Sequence, residues 1–304
     1  MNSRSFPNCF ASVALCLLLV GGCSRTTVLY RNLDWFLEQY AIKTLDATPD
    51  QLEAWRPVLA SVLDRHVQQE LPLLEGYFAL LAQAMGSESP ADFDGACLVA
   101  EANRIYARHA RLAAELAVPL LESLTPGQLD HLSDYLVERR NFFHDRYLRG
   151  DETAQRVART ARLVDRFEGW TGPLNVTQRI GVEQFAARLS SVPGDWLKFR
   201  ERQEARLLQL LWRGAGREAV HAQLIRWWVP WSSEKSEFFV QWQFAEDALA
   251  RLLDHLAASL TDRQRERVTE RAKFLISELS ALRPGQPGVA EETWRQFRCI
   301  ERPA

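Results

Sequence analysis

Four short segments of the sequence carry the same helix-start signature. In each, a Thr or Asn is followed three positions later by Gln, and an amphipathic run comes next: Thr48 with Gln51, Thr125 with Gln128, Asn175 with Gln178, and Thr261 with Gln264. In such a capping box the first side chain accepts from a backbone amide of the first turn, and the Gln side chain accepts from the cap's own amide. Pro49 and Pro126 at the first helical position favour the same boundaries. The signature therefore predicts a chain divided repeatedly into helices.

Between these starts the apolar residues recur at steps of three and four, the period of an α-helix. The clearest example is a heptad-like seam, which predicts packing on another helix: Phe238, Trp242, Ala245, Leu249, Leu252 and Leu256. No run alternates with period two, so we expect an all-α protein, a multi-helix bundle of about ten helices with short connections. Pro57 and Pro72 predict a bent helix or two consecutive helices after Thr48. The Gly- and Pro-containing segment near 169–174 is a candidate boundary between two helical halves.

The first 22 residues have the layout of a secretory signal peptide. Arg4 precedes a short apolar run over residues 10–20, and that run is too short to span a bilayer comfortably. It ends in Val20-Gly21-Gly22-Cys23, which resembles the bacterial lipobox, in which the Cys is lipidated and becomes the new N-terminus. We therefore expect lipidation of Cys23 and a mature domain over residues 23–304. The alternative is an ordinary signal peptide with an unrelated Cys at its junction.

Two further features bear on the location and partners of the mature chain. Ser24 after the Cys resembles the outer-membrane default of Gram-negative lipoproteins, so the expected place is the outer membrane, facing the periplasm. Only a few residues separate Cys23 from the first helical pattern at Leu29, without a Gly/Ser-rich or Pro-rich linker. The body should therefore lie close to the lipid surface. The net charge of −2, with both signs interleaved, argues against a nucleic acid partner.

Beyond the lipobox only Cys97 and Cys299 remain. In an oxidising envelope these two can form a disulfide, and the alternative is two separate thiols.

The sequence contains no recognisable catalytic motif. A P-loop, a dinucleotide fingerprint, a nucleophile elbow and a His-Glu-x-x-His motif are all missing, so no catalytic residue and no cofactor is predicted. His66 and Glu70 lie four apart on one helix face and would supply two metal ligands. We favour the alternative, a His and a carboxylate paired at i and i+4, because no second ligand pair has matching spacing. No metal site is predicted.

Two segments are candidates for binding. Arg139 and Arg140 begin a run of mixed basic and aromatic residues over 139–146, which would hold an anionic headgroup or a peptide carboxylate. The alternative is a helix with Phe143 inward and its basic residues solvated.

The second candidate is the group Trp227, Trp228 and Trp231 around Pro230. These indoles would form an interfacial belt or an aromatic platform, and the alternative is packing at a corner between helices. Adjacent residues point about 100° apart around a helix axis. We therefore expect at least one of the three to be substantially exposed.

Several of these segments together resemble a family of Gram-negative lipoproteins of unknown function: the lipobox, residues 30–35 (Tyr-Arg-Asn-Leu-Asp-Trp), the stretch 66–77 with Glu70-Leu71-Pro72, and the four helix starts. The Leu-Thr-x-x-Gln form of the starts is also similar to the LTxxQ-motif periplasmic chaperones, which are helical and bind unfolded or signalling proteins. These resemblances imply a membrane-anchored, helical binding or chaperone-like accessory for an envelope protein or peptide. The alternative is an envelope hydrolase on lipid or cell-wall substrates. A cleft with several converging titratable groups would favour the hydrolase, and a broad apolar groove would favour binding. A structural helical spacer is a third possibility.

Overall fold

The computed structural model describes residues 30–86, 93–232, 236 and 238–283, and within these residues the chain contains helices and connections without a strand. The all-α prediction is confirmed. The helices are α1 (Leu33–Leu45), α2 (Pro49–Arg65), α3 (Leu71–Gly86), α4 (Gly95–Glu122), α5 (Pro126–Tyr147), α6 (Glu152–Thr171), α7 (Val176–Arg188), α8 (Val192–Trp212), α9 (Arg217–Trp228), α10 (Phe239–Ser259) and α11 (Asp262–Ala281). A π-helical turn, His66–Glu70, joins α2 to α3, and a 3₁₀ turn, Pro230–Ser232, follows α9. None of the described helices is both long enough and apolar enough to span a bilayer. Cys23 and Cys299 lie outside the described residues.

The two prolines expected to bend the chain after Thr48 have different effects. Helix α2 continues through Pro57 without a break. Pro72 is the second residue of α3, and the π turn lies directly before it. Proline lacks an amide and its ring crowds the carbonyl one turn earlier. The wider π turn at this place accommodates the missing hydrogen bond.

The chain divides into two compact units, each assembled from three separate segments. Among the described residues, the first contains those up to 70 with 106–142 and 198–236, and the second contains 71–105, 143–197 and those from 238 onward. The candidate boundary at 169–174 lies inside the second unit.

The core of the first unit forms where α1, α2 and α4 meet. Trp55 is buried there among aliphatic side chains, and its indole Nε1 donates to the Leu116 carbonyl at 2.8 Å. The other buried members are Ala41, Ala47, Leu52, Leu59, Val62, Leu116 and Leu120. The buried positions of α2 follow the helical period that the sequence shows after Thr48.

In the second unit, α7 packs against α6 on one side and α10 on the other. Val182 and Phe185 of α7 share a core with Leu252 and Leu256 from the predicted seam of α10. Helix α11 packs along α3, and Arg283, just beyond α11, forms a buried bidentate ion pair with Glu75 of α3, with both N–O distances at 3.0 Å.

Cys97 of α4 is disulfide-bonded, so the alternative of a free thiol at this position is wrong. The other four cysteines of the sequence lie outside the described residues. The pairing of Cys97 with Cys299 therefore stays a prediction.

All four predicted helix starts are capping boxes in the structure. Their Gln backbone amides donate to the Thr or Asn side-chain oxygen three positions earlier, and the Gln Oε1 atoms accept from the cap amides at 2.9–3.0 Å. They precede α2, α5, α7 and α11. The local part of the sequence prediction is therefore confirmed at every start.

The four glutamines also pair with one another, and we call each pair a glutamine clasp. In the first unit, Gln51 Nε2 donates to Gln128 Oε1 at 3.1 Å and Gln128 Nε2 donates to Gln51 Oε1 at 2.7 Å. In the second unit, Gln178 and Gln264 exchange the same two bonds at 3.0 and 3.1 Å. Each clasp thus joins two helix starts that are distant in sequence.

The second N–H of each clasp amide binds a backbone carbonyl according to one rule. The acceptor is the carbonyl of the residue two positions before the Thr or Asn cap of the partner glutamine's helix. The four bonds, at 2.7–2.9 Å, run from Gln51 to Ser123, Gln128 to Asp46, Gln178 to Ser259 and Gln264 to Pro173. Those carbonyls lie in the turns that end the preceding helices. A clasp therefore ties two helix–turn–helix corners together with approximate two-fold symmetry.

We expect the substitution Gln178→Ala to destabilise the protein by about 1–3 kcal/mol, because it leaves the buried amide of Gln264 without its partner. Urea unfolding of Gln178→Ala, Gln264→Ala and the double variant should give a coupling free energy of about 0.5–3 kcal/mol.

Thr125→Ala and Thr261→Ala should each lower the free energy of unfolding by about 1 kcal/mol, and Gly at the same positions should lower it less. The control is Gln68→Ala: its exposed side chain bonds only Asp64 among the described residues, and its loss should cost less than about 0.5 kcal/mol. Additive effects of the two clasp substitutions would contradict the clasp.

Candidate functional site

Five titratable side chains of the first unit lie together at the π turn. The turn itself supplies His66 and Glu70, α4 supplies Arg108 and His109, and Tyr30 comes from the residues before α1. We call these residues the His66 cluster. A π turn inserts an extra residue into a helix, and such turns are frequent at functional sites.

Tyr30, His66 and His109 form a chain of ring contacts. The hydroxyl of Tyr30 lies 2.7 Å from Nδ1 of His66, and the rings of His66 and His109 meet edge to face with centroids 4.9 Å apart. Burial, and after it the neighbouring His109, lowers the pKa of His66 to about 3. Burial also raises the pKa of Tyr30. Both groups are therefore neutral near pH 7, and the tautomer of His66 determines whether its Nδ1 accepts from or donates to the Tyr30 hydroxyl.

Glu70 and Arg108 form the charged part of the cluster. Nε and Nη2 of Arg108 donate to the two carboxylate oxygens of Glu70 at 2.8 and 2.7 Å, and Glu70 is buried. The hydrogen bonds from Arg108 to Glu70 raise the pKa of the guanidinium. This bidentate pairing offsets the desolvation cost of the buried Glu70 carboxylate.

The structure corrects the interpretation of His66 and Glu70 as an i, i+4 pair. His66 bonds Tyr30, and Glu70 bonds Arg108, because a guanidinium offers the carboxylate two parallel donors that a neutral imidazole lacks. Within the described residues, no group of three or more His, Cys, Asp or Glu side chains is arranged to hold a metal ion.

The His66 cluster brings together two segments on which the family resemblance was based. Tyr30 comes from the segment 30–35, and His66 and Glu70 come from the stretch 66–77. Sequence reasoning missed Arg108 and His109. They lie on a regular stretch of α4, 38 or more positions from their partners, and no local spacing marks them.

Arg139 and Arg140 make contacts within their own unit. Arg140 bonds the buried carboxylate of Glu204, which also bonds the buried guanidinium of Arg200 one turn earlier on α8. The guanidinium of Arg139 lies 5.2 Å from the centroid of the Phe142 ring. Arg140 is therefore committed to a buried ion triad, and an anion site at this pair stays a prediction.

Two of the three tryptophans, Trp228 and Trp231, pack at a corner between α9 and α4, and the ring of Trp227 lies against that of Trp228. Trp227 is buried, and Trp228 and Trp231 are partly buried against Ala107, Ala110 and Val229. The ring of Trp231 also lies 5.2 Å from that of Tyr106, centroid to centroid. The alternative of corner packing is thus present, and the expectation that at least one of the three indoles is substantially exposed is wrong, because Trp227 is buried and Trp228 and Trp231 are only partly exposed. Binding through Trp227, Trp228 or Trp231 stays a prediction.

Residues 43–232 match the model of DUF6279, which is described as a family of unknown function. No curated protein and no solved structure matches the chain. The matched range includes Trp227, Trp228 and Trp231 and every residue of the His66 cluster except Tyr30, and it does not include Cys23.

The lowered pKa of His66 predicts a pH-dependent stability. Because the pKa falls from 6.5 to about 3 on folding, the unfolded chain takes up a proton first as the pH decreases. The stabilisation is complete above about pH 6.5 and is lost as the pH falls from there toward 3, with a slope of up to about 1.4 kcal/mol per pH unit.

His66→Gln tests this prediction, since Gln retains a hydrogen-bonding partner for Tyr30 and does not titrate. Urea unfolding between about pH 8 and pH 4 should show a shallower pH dependence for the variant by one proton. The difference in unfolding free energy between the two proteins at about pH 8 measures the cost of the substitution itself. Equal slopes for both proteins across the window would show that His66 is not held neutral by the fold.

Proposed function

The chain belongs to the family DUF6279, whose description names no activity, and we propose its function from its own residues. We propose an envelope lipoprotein, anchored in the outer membrane through Cys23 and facing the periplasm. Its helical body would act as a binding or chaperone-like accessory that takes up apolar segments of envelope proteins or peptides. No cofactor is required for this function.

Two observations support the envelope location. The lipobox-like residues Val20-Gly21-Gly22-Cys23 follow the apolar run of a signal peptide. Cys97 is disulfide-bonded, which fits an oxidising compartment such as the periplasm.

The binding function is carried by exposed apolar pairs at helical spacing in the second unit. Val176 and Ile180 at the start of α7 are 75% and 48% exposed, and Val240 and Phe244 at the start of α10 are 71% and 44% exposed. Single exposed apolar side chains are ordinary, but residues at i and i+4 form a strip along one face of a helix. Strips of this kind recognise apolar segments of partner chains.

These strips lie on helices that already bury their opposite faces. Val182, Phe185 and Ala186 of α7 are buried, and α6 and α10 both pack against α7. Helix α6 adds a further exposed residue, Val157. The exposed positions are therefore additional to the core and are available to a partner.

The His66 cluster is the observation that favours a hydrolase as second candidate, because titratable groups converge there. Its residues are unsuited to general acid–base catalysis of hydrolysis. A general base needs a pKa near the working pH, and that of His66 is lowered to about 3. Arg108 and Glu70 neutralise each other. The cluster is better explained as a polar element that stabilises the first unit.

We expect Cys23→Ser to release the protein from membranes and to abolish labelling by a fatty-acid analogue, because the thiol that receives the lipid is lost. Ser24→Ala is the control and should stay labelled in the outer membrane. Ser24→Asp should keep the label but shift to the inner membrane fraction. A Cys23→Ser protein that is still labelled would contradict the lipobox interpretation.

We expect the double substitution Val176→Gln and Ile180→Gln to weaken binding of an unfolded protein about tenfold, which corresponds to about 1.4 kcal/mol of lost apolar contact. The measurement is the suppression of aggregation of reduced α-lactalbumin by the mature chain carrying Cys23→Ser. Both sites are exposed, so thermal stability should remain unchanged.

The matched control is Val137→Gln, which replaces an exposed valine of α5 in the first unit and should keep full suppression. Absence of suppression by the parent protein, or an equal loss in all variants, would count against the binding function.

A further inference from the structure

The outer face of α1 has three apolar side chains that the described residues leave exposed, with the polar Gln39 between them. Trp35, Phe36 and Ile42 are 55%, 37% and 39% exposed. The rings of Trp35 and Phe36 contact each other edge to face with centroids 4.9 Å apart. The opposite face contains the buried residues Ala41 and Thr44 and packs on α2.

The exposed residues of α1 share a direction. Positions seven apart point about 20° from each other around a helix, so Trp35 and Ile42 lie on one line along the axis. Phe36 lies beside Trp35 and widens this line at the N-terminal end. A helix with one face on a protein core and an aromatic-rich face outside has the pattern of a segment that lies in a membrane interface.

The length of the preceding chain indicates what covers this face. Leu33, the first residue of α1, is ten positions after Cys23, and ten extended residues span at most about 35 Å. If Cys23 carries the lipid, the start of α1 stays within that distance of the bilayer. Trp35 and Phe36 are thus the exposed aromatic residues closest in sequence to the anchor among those described.

The side chains suit a lipid surface. Tryptophan prefers the headgroup level, where its apolar body and its N–H are both satisfied. Arg31 precedes the aromatic pair by one turn and Lys43 lies near the other end of α1, both exposed; cations at these positions attract anionic headgroups. Asp34 is exposed on the same helix and offsets part of this attraction, so apolar contact is the main contribution.

We propose that Trp35, Phe36 and Ile42 lie against the headgroup–acyl boundary of the membrane that holds the Cys23 lipid. The inference rests on the lipidation proposed above. The lipid supplies the affinity, and the aromatic pair determines which face of the first unit is turned to the membrane. Membrane contact is thereby assigned to α1, while Trp228 and Trp231 pack at the corner between α9 and α4.

The test uses the full lipidated protein in vesicles of phosphatidylethanolamine and phosphatidylglycerol with acyl-brominated lipids, which quench indoles at the boundary. Wild-type emission should be partly quenched, and Trp35→Phe should abolish that quenched fraction. Trp212→Phe is the matched control, because Trp212 is 50% exposed on α8 of the same unit. Its removal should leave the quenched emission in place.

Flotation with the vesicles separates the possible failures. Protein that does not float lacks the anchor, which overturns the lipidation and this inference with it. Protein that floats, with unchanged quenching in Trp35→Phe or an equal loss in Trp212→Phe, overturns the membrane contact alone. Blue-shifted emission from Trp35 without quenching would mean that a protein partner or a second copy covers this face, and the inference would be wrong.

Discussion

The fold depends on the complete hydrogen bonding of four glutamine amides. A primary amide has two N–H donors and an oxygen that accepts twice. In each clasp the oxygen accepts from its own cap amide and from the partner glutamine, while the two N–H groups go to the partner and to a distant turn carbonyl. Buried amides are tolerated only when they are satisfied in this way. Glu at the same position would lack both donors, so the residue type is part of the architecture.

The helix starts were predictable from sequence because a capping box is a local arrangement across three residues. The clasps were not, since their partners are 77 and 86 positions apart. A signal nevertheless existed: capping boxes accept Glu or Gln, and all four starts of this chain have Gln. A capping box uses only the oxygen of that amide, which leaves two donors that require partners elsewhere.

The same limit explains the candidate site. Periodicity placed Glu70 on one helix face with His66, and it placed Arg140 in a basic run with the pattern of a solvated helix. The partner of Glu70 is Arg108, 38 positions away, and that of Arg140 is Glu204, 64 positions away. The residues of the Glu75–Arg283 pair are 208 positions apart. Burial of a charge is decided by such distant pairs, so the sequence identified charged residues without showing which of them the fold would neutralise.

This distribution of polar groups also bears on function. The glutamine clasps, the Arg108–Glu70 pair and the Glu204 triad use their hydrogen-bonding groups within the units that contain them. Each unit also exposes apolar side chains at helical spacing: those of α1 in the first, and the strips of α7 and α10 in the second. Catalysis needs polar groups that are positioned to contact a substrate, whereas binding to lipid or to apolar segments needs exposed apolar side chains. The side-chain arrangement is the reason why we propose a binding protein and keep the hydrolase as the second candidate.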